Sequence, residues 1–303
     1  MKGSDAIESD TKSEAGLLVA AEPPADISIK ELEDAATQKW MYSRSLAARR
    51  LKQQFKRGLR SIRVSHATPR PLFVITQPRT GSTLLGAYFE SLPDVVHAGE
   101  VLNPAIPIGP SPSVSGNSTA IERHLRSVVR SCNGTCCAIK LMLNQLDFFK
   151  VAWNRIEECF PDSVWILLYR SSLLQQFVSY KAALLKGSWS GTSYSGKLHV
   201  NPDEFDLWAQ DQVVRFHRLL TEECLTGPSL VLTYEELAQD PQGVFSDRVC
   251  PLLGMPALGV RSKMKKQIRS TMRDTIVNYE QLDVYFNGEF PTMVVDAQPA
   301  GPS

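Results

Sequence analysis

The sequence has no long apolar run and almost no net charge. No stretch reaches the ~20 apolar residues that a membrane span needs. The apolar run at residues 16–21 is short and follows an acidic segment, the reverse of a signal peptide. A net charge of +1 over 303 residues creates no global field that attracts nucleic acid. We therefore expect a soluble, cytoplasmic protein with no transmembrane segment and no nucleic-acid partner, with an organelle address left open.

Cysteine is scarce, with six residues in the chain, which is few for a disulfide scaffold. Cys132, Cys136 and Cys137 lie close together in the sequence. They form no CxxC pair and have no HxxxH partner nearby, so the sequence predicts buried free thiols rather than a metal site.

Acidic residues are absent between positions 36 and 89, where Lys and Arg recur. The basic, helically spaced part of this region is a candidate for weak contact with an anionic membrane surface. A solvated face that covers the edge of the main domain is the favoured interpretation. The chain is expected to have four parts: a disordered N-terminal tail (1–27), a basic helical extension (28–68), a main domain (69–290) and a flexible C-terminal tail (291–303).

Within the main domain, short buried runs alternate with helical patterns. The alternation predicts an α/β fold with a parallel sheet and helices on both faces, and a ligand site at the carboxyl ends of the strands. Polar segments at 97–120 and 187–201 are predicted to be long loops of the kind that often carry function. Four strands are predicted, at 72–76, 138–143, 163–169 and 229–233.

Residues 77–83 join the first strand to a helix and have the composition of an anion-binding loop. Gly81 permits close approach of the backbone, and Arg79 supplies a planar charged fork. Nucleotide-hydrolysing P-loops have a Lys where this loop has Ser82, and magnesium chemistry needs a carboxylate at a neighbouring strand end. The third strand ends instead in Tyr169 and Arg170, so the sequence favours a second phosphate and no metal.

These motifs resemble the sulfotransferases that use 3′-phosphoadenosine 5′-phosphosulfate (PAPS), most closely the bacterial trehalose and Nod-factor branch. The loop Thr76-Gln-Pro-Arg-Thr-Gly-Ser-Thr-Leu84 is similar to the family's 5′-phosphosulfate loop. The next motif begins at Arg170, where this chain has one Arg followed by Ser171 and many relatives have two Arg residues. The resemblance covers residues 71–285 and implies a P-loop-NTPase-like sulfotransferase fold. The donor-binding residues it implies are Arg79, Thr80, Gly81, Ser82, Thr83, Arg170, Ser179, Tyr234 and Lys266.

Each of these residues also has an ordinary structural interpretation. Arg170 is a candidate for pairing with a carboxylate, and Ser179 for an ordinary helix serine. Tyr234 is a candidate core residue, and Lys265 and Lys266 are candidates for solvated surface residues.

The resemblance also implies catalytic residues. Lys140 is expected to contact the sulfuryl group, and Met142 stands where the cytosolic branch has its histidine base. Glu100 is therefore the expected base, with His97 as the alternative. The competing interpretation is that Glu100 pairs structurally with Arg79 or another cation.

The expected activity is transfer of a sulfuryl group from PAPS to a hydroxyl or amine of a small molecule, with carbohydrates and specialised metabolites among the candidates. The alternatives are a kinase-like enzyme with a degenerate P-loop and a non-catalytic nucleotide-binding module. The sequence leaves the acceptor and the oligomeric state open.

Overall fold

The computed structural model describes residues 27–41, 68–106, 108–189, 194–221, 226–262 and 270–295. Residues 1–26 of the predicted disordered tail, the more basic half of the helical extension, and Lys265 and Lys266 lie outside these ranges. Expectations about them therefore stay predictions.

A five-stranded parallel sheet forms the centre of the domain. Its spatial order is β2-β3-β1-β4-β5. The α/β fold class predicted from the sequence is thus confirmed. The strands are β1 (Arg70–Thr76), β2 (Val95–Gly99), β3 (Cys136–Met142), β4 (Val164–Tyr169) and β5 (Ser229–Thr233).

The helices follow the predicted alternation with the strands. Two short helices follow β3 before the next strand. Described helices before residue 222 are α1 (Ile29–Met41), α2 (Ser82–Phe89), α3 (Ser118–Ser131), α4 (Leu143–Phe149), α5 (Trp153–Cys159), α6 (Leu173–Lys186) and α7 (Pro202–Thr221). Those after β5 are α8 (Tyr234–Gln239), α9 (Pro241–Val244), a π-helical turn (Phe245–Val249), α10 (Cys250–Leu252), α11 (Met272–Thr275) and α12 (Tyr279–Tyr285), and a short 3₁₀ turn spans Pro112–Val114.

Both faces of the sheet are buried. Successive side chains of a strand point to opposite faces, and each face packs in an apolar cluster. On β1, Leu72 and Val74 pack in one apolar cluster with the α2 residue Leu85. Phe73 and Ile75 pack in the other cluster, which contains α6 residues such as Phe177. Because both faces are buried, the central strands are continuous runs of apolar residues rather than alternating apolar and polar residues.

Two features of the fold were not predicted. The strand β2 lies at the edge of the sheet and overlaps the first residues of the segment predicted to be a long loop, 97–120. In addition, the prediction of free thiols at Cys132 and Cys137 was wrong, because these two residues form a disulfide between the end of α3 and β3. Cys136 is a buried free thiol as predicted, and burial raises its pKa to about 12.

Both ends of the described chain pack on the domain. Ile29 of α1 is 5% exposed and belongs to the larger core cluster. Near the other end, Met293 is buried and its N–H donates to the carbonyl of Ser171 at 3.0 Å. Ser172 pairs with Thr292 through an isolated antiparallel bridge. Residues just before α6 are therefore held by the last residues that the structure describes.

Candidate functional site

The loops after β1 and β4 define a crevice at the carboxyl edge of the sheet. These strands are neighbours, but their helices lie on opposite faces, α2 with the Leu72 cluster and α6 with the Phe73 cluster. A site where adjacent connections diverge to opposite faces is the usual ligand crevice of an open α/β sheet. Arg79 follows β1 and Arg170 follows β4, so the topology places both at this crevice.

The loop after β1 is held in a tight conformation by buried glutamines. Gln176 of α6 is fully buried, and its Nε2 donates to the carbonyl of Pro78 at 2.8 Å. Gln77 Nε2 donates to the carbonyl of Gln212 on α7 at 3.0 Å. These bonds fix the backbone immediately before Arg79.

Two residues of the loop have left-handed backbones. Arg79 has φ of 66° and Gly81 has φ of 86°. At Gly81 a glycine is also needed for space, because a Cβ there would lie 2.4 Å from Tyr234 Cδ2. Gly81 caps the start of α2, whose first-turn N–H groups are left for an external acceptor.

The Arg79 side chain is held by neutral oxygens. Its Nε donates to Ser179 Oγ at 2.9 Å, and its Nη1 donates to the carbonyl of Trp189 at 2.6 Å. Burial and the nearby charge of Arg170 lower the pKa of Arg79 to about 10. The guanidinium stays protonated at neutral pH, and the two like charges make the crevice favourable for an anion.

Arg170 lies against Tyr234. Its Cζ is 4.5 Å from the centroid of the tyrosine ring, and its Nη2 donates to Gln175 Oε1 at 2.7 Å. Glu235 lies 3.9 Å from Arg170 Nε and accepts the backbone N–H of Ser171 at 3.0 Å. Arg170 thus has the carboxylate neighbour that the competing interpretation anticipated, at a distance that is long for a hydrogen bond.

Thr80, Ser82 and Thr83 differ in the groups that they make accessible to a ligand. The Thr80 hydroxyl is buried and donates to the carbonyl of Gln77 at 3.0 Å, so this residue offers a ligand its backbone rather than its side chain. Ser82 is buried, whereas Thr83 is exposed.

A second polar group lies on the other side of β1, at the ends of β2 and β3. Lys140 Nζ is 2.7 Å from Glu100 Oε1, and the two side chains are 9% and 28% exposed. Asn103 Nδ2 and Gln145 Nε2 donate to Glu100 Oε2 at 2.9 and 3.2 Å. Glu100 therefore pairs with Lys140.

The electrostatics of this group favour ionised Glu100 and neutral His97. Burial acts to raise the pKa of Glu100, but the charge of Lys140 and the three hydrogen bonds outweigh it and lower that pKa. Burial lowers the pKa of His97 despite its contact with Glu90. His97 packs against α2, where a Cβ on Gly86 would lie 2.2 Å from its Cε1.

The described residues contain no cluster of three or more His, Cys, Asp or Glu side chains placed to bind a metal ion. In the same ranges, no helix is both long and apolar enough to cross a bilayer.

Similarity to known proteins is limited to solved structures. No protein-family model matches the sequence, and no match was found among curated proteins. A sulfotransferase from Alicyclobacillus acidocaldarius is similar at 18% identity with a TM-score of 0.41, over 74% of this chain and 93% of that one. The sulfotransferase domain of the Synechococcus PCC 7002 olefin synthase is similar at 15% identity with a TM-score of 0.38, over 78% of this chain and 92% of that one. At these values, any function must be argued from the side chains of the site.

Several residues of the site were not predicted from the sequence. Gln176 and Trp189 bind the loop and Arg79, while Asn103 and Gln145 bind Glu100. One sequence feature could have identified Gln176 as a buried polar residue. It is a glutamine on the apolar face of a predicted helix, between Gln175 and Phe177. Trp189 and Gln145 act through contacts between distant segments, whereas Asn103 lies three residues after Glu100 within the predicted loop.

Proposed function

We propose that this protein transfers a sulfuryl group from PAPS to a hydroxyl or amine of a small-molecule acceptor. The observation that carries the proposal is the pair of guanidinium groups, Arg79 and Arg170, at one crevice between β1 and β4. A donor with a 5′-phosphosulfate and a separate 3′-phosphate needs two such cationic positions. The motifs that resemble the PAPS-dependent sulfotransferases fall on these same residues.

In this proposal the Arg79 loop binds the 5′-phosphosulfate. Arg79 and the first N–H groups of α2 stabilise the charge that develops on the leaving phosphate oxygen. Arg170 and Ser179 bind the 3′-phosphate, Tyr234 contacts the adenine, and Lys266 closes on the 3′-phosphate. The contact between Arg79 and Ser179 brings the two phosphate positions next to each other.

The Lys140–Glu100 pair supplies the transfer chemistry. Lys140 contacts the sulfuryl oxygens. Glu100 accepts the proton of the acceptor as the acceptor oxygen or nitrogen bonds to sulfur and the bond from sulfur to the 5′-phosphate oxygen breaks. A carboxylate has about four lone-pair positions, and three donors already contact Glu100. One position is left for the acceptor's proton.

His97 is the alternative base, because burial keeps its imidazole neutral near pH 7. The two assignments predict different acidic limbs in the pH–rate profile. With Glu100 as base the limb lies below the ordinary glutamate pKa of 4.5. With His97 it lies below the ordinary histidine pKa of 6.5.

The proposal is tested by calorimetric titration with 3′-phosphoadenosine 5′-phosphate in the presence of EDTA, together with transfer of labelled sulfate from PAPS to an extract of acceptors. Arg79→Ala is expected to weaken nucleotide binding about 10–100-fold, the range for loss of a charged hydrogen-bonding group. Arg155→Ala is the control, since Arg155 pairs with Glu122 and Glu158 on the protein surface.

Binding that requires magnesium and ATP would favour the kinase-like alternative. Binding of the nucleotide without transfer to any acceptor would favour a non-catalytic module. Equal affinity of the Arg79→Ala and wild-type proteins would show that the donor site is misplaced.

A further inference from the structure

Tyr180 connects the N-terminal helix to the helix that carries Ser179. The tyrosine is 7% exposed, and its hydroxyl donates to Glu33 Oε1 of α1 at 2.5 Å. Burial, together with the charge and hydrogen bond of Glu33, raises the pKa of Tyr180. The phenol therefore remains a hydrogen-bond donor throughout the physiological pH range.

A second contact attaches α1 to the domain, close to the Tyr180–Glu33 hydrogen bond. The backbone N–H of Ile29 donates to Glu204 Oε1 on α7 at 2.5 Å. The other oxygen of Glu204 lies 3.6 Å from Nζ of Lys181, a lysine that is only 3% exposed. The start of α1 is therefore joined, through one carboxylate, to the residue that follows Tyr180.

Tyr180 also lies beside two residues whose oxygens accept hydrogen bonds from the Arg79 side chain. Ser179, which accepts from Arg79 Nε, directly precedes Tyr180 on α6. Trp189, whose carbonyl accepts from Arg79 Nη1, has its ring centroid 5.7 Å from that of Tyr180. Tyr180 therefore contacts α1 through Glu33 and Trp189 through its ring, and it directly follows Ser179.

We propose that α1 is a positioning element of the donor site and that the Tyr180–Glu33 hydrogen bond sets the position of Arg79. This inference rests on the proposed function, because it assigns Arg79 to the donor. When α1 is docked, Ser179 and Trp189 are held and the guanidinium is pre-organised for the anion. When α1 is released, the same side chain must be ordered by the donor itself, so affinity falls.

The test uses the full-length protein and calorimetric titration with 3′-phosphoadenosine 5′-phosphate in EDTA. Tyr180→Phe removes only the hydroxyl and is expected to weaken binding about fivefold, the lower end of usual coupling effects. Glu33→Ala should have the same effect. The double variant should be no weaker than either single one, because both remove the same bond.

Asp34→Ala is the matched control. Asp34 follows Glu33 on the same helix, and its side chain is exposed. Its substitution should leave nucleotide affinity unchanged. In steady-state assays the Tyr180 and Glu33 variants should raise the KM for PAPS and leave kcat near the wild-type value, a split that general destabilisation would not produce.

The outcomes separate this inference from the proposed function. If the wild-type protein does not bind the nucleotide, the proposed function fails, and this inference with it. If the wild type binds and Tyr180→Phe binds equally well, α1 does not position Arg79. Equal weakening by Asp34→Ala and Glu33→Ala would also overturn the inference. Should Tyr180→Phe fail to fold, Glu33→Ala alone decides between these results.

Discussion

Replacement of Lys140 with Met tests whether the Lys140–Glu100 pair acts in catalysis or only in structure. Loss of one partner from a buried ion pair costs about 3–5 kcal/mol. Because 28% of the Glu100 side chain is exposed, and because Asn103 and Gln145 still donate to it, we expect a loss nearer ~2 kcal/mol. For a chain of this size that corresponds to a fall in Tm of about 4–8 °C.

The double variant Lys140→Met/Glu100→Gln removes both charges. It should recover most of the lost stability, because no unpaired carboxylate remains buried. Sulfuryl transfer should not recover and should stay about 100-fold or more below wild type, the usual cost of losing a group that stabilises transition-state charge. Thermal denaturation and the sulfate-transfer assay measure the two quantities separately, with Arg155→Met as the surface control.

The pH dependence of stability provides an independent check on the same pair. The pKa of Glu100 is lowered in the folded protein, so its stabilising contribution is present above the unfolded pKa and is lost as pH falls through the folded pKa. In Lys140→Met the folded-state pKa of Glu100 rises towards the unfolded value, so less stability should be lost on acidification than in the wild type. A double variant that regains both stability and wild-type transfer would refute the catalytic role of the pair.

Two further substitutions test the loop and the environment of the base. Gly81→Ala should weaken binding of 3′-phosphoadenosine 5′-phosphate about tenfold, because the added Cβ clashes with Tyr234. Gly116→Ala is the control and should not weaken binding, because Gly116 is also at positive φ but has open space around the added Cβ. Equal affinities in the two variants would contradict this. Gln145→Leu should raise the Glu100 pKa and move the acidic limb of the pH–rate profile upward, and an unmoved limb would exclude Gln145 as a positioning residue.

The register of the sheet explains which parts of the site the sequence could predict. Strand–loop–helix order was sufficient to place Arg79 after β1 and Arg170 after β4. The partners of these residues depend on which strands are neighbours. Tyr169 pairs with Thr233 across β4 and β5, so Arg170 and Tyr234 leave the sheet side by side. No local pattern specifies that pairing.

The strand β2 was missed for a related reason. It is five residues long and lies at the sheet edge, and only its first residue is buried. It therefore lacks the continuous apolar run by which the inner strands were predicted. Its pairing with β3 matches Gly99 to Ile139, which brings Glu100 to Lys140. Because β2 was not predicted from the sequence, the partner of Glu100 could be described only as Arg79 or another cation.

The bridge between Thr292 and Ser172 affects where the protein can be shortened. The predicted domain boundary at residue 290 would remove Thr292 and Met293, and with them the bond to the Ser171 carbonyl. Those contacts hold the residues that join Arg170 to α6. A chain ended at 290 for crystallisation or assay would lose support beside the proposed 3′-phosphate position, whereas a tag appended after residue 303 retains it.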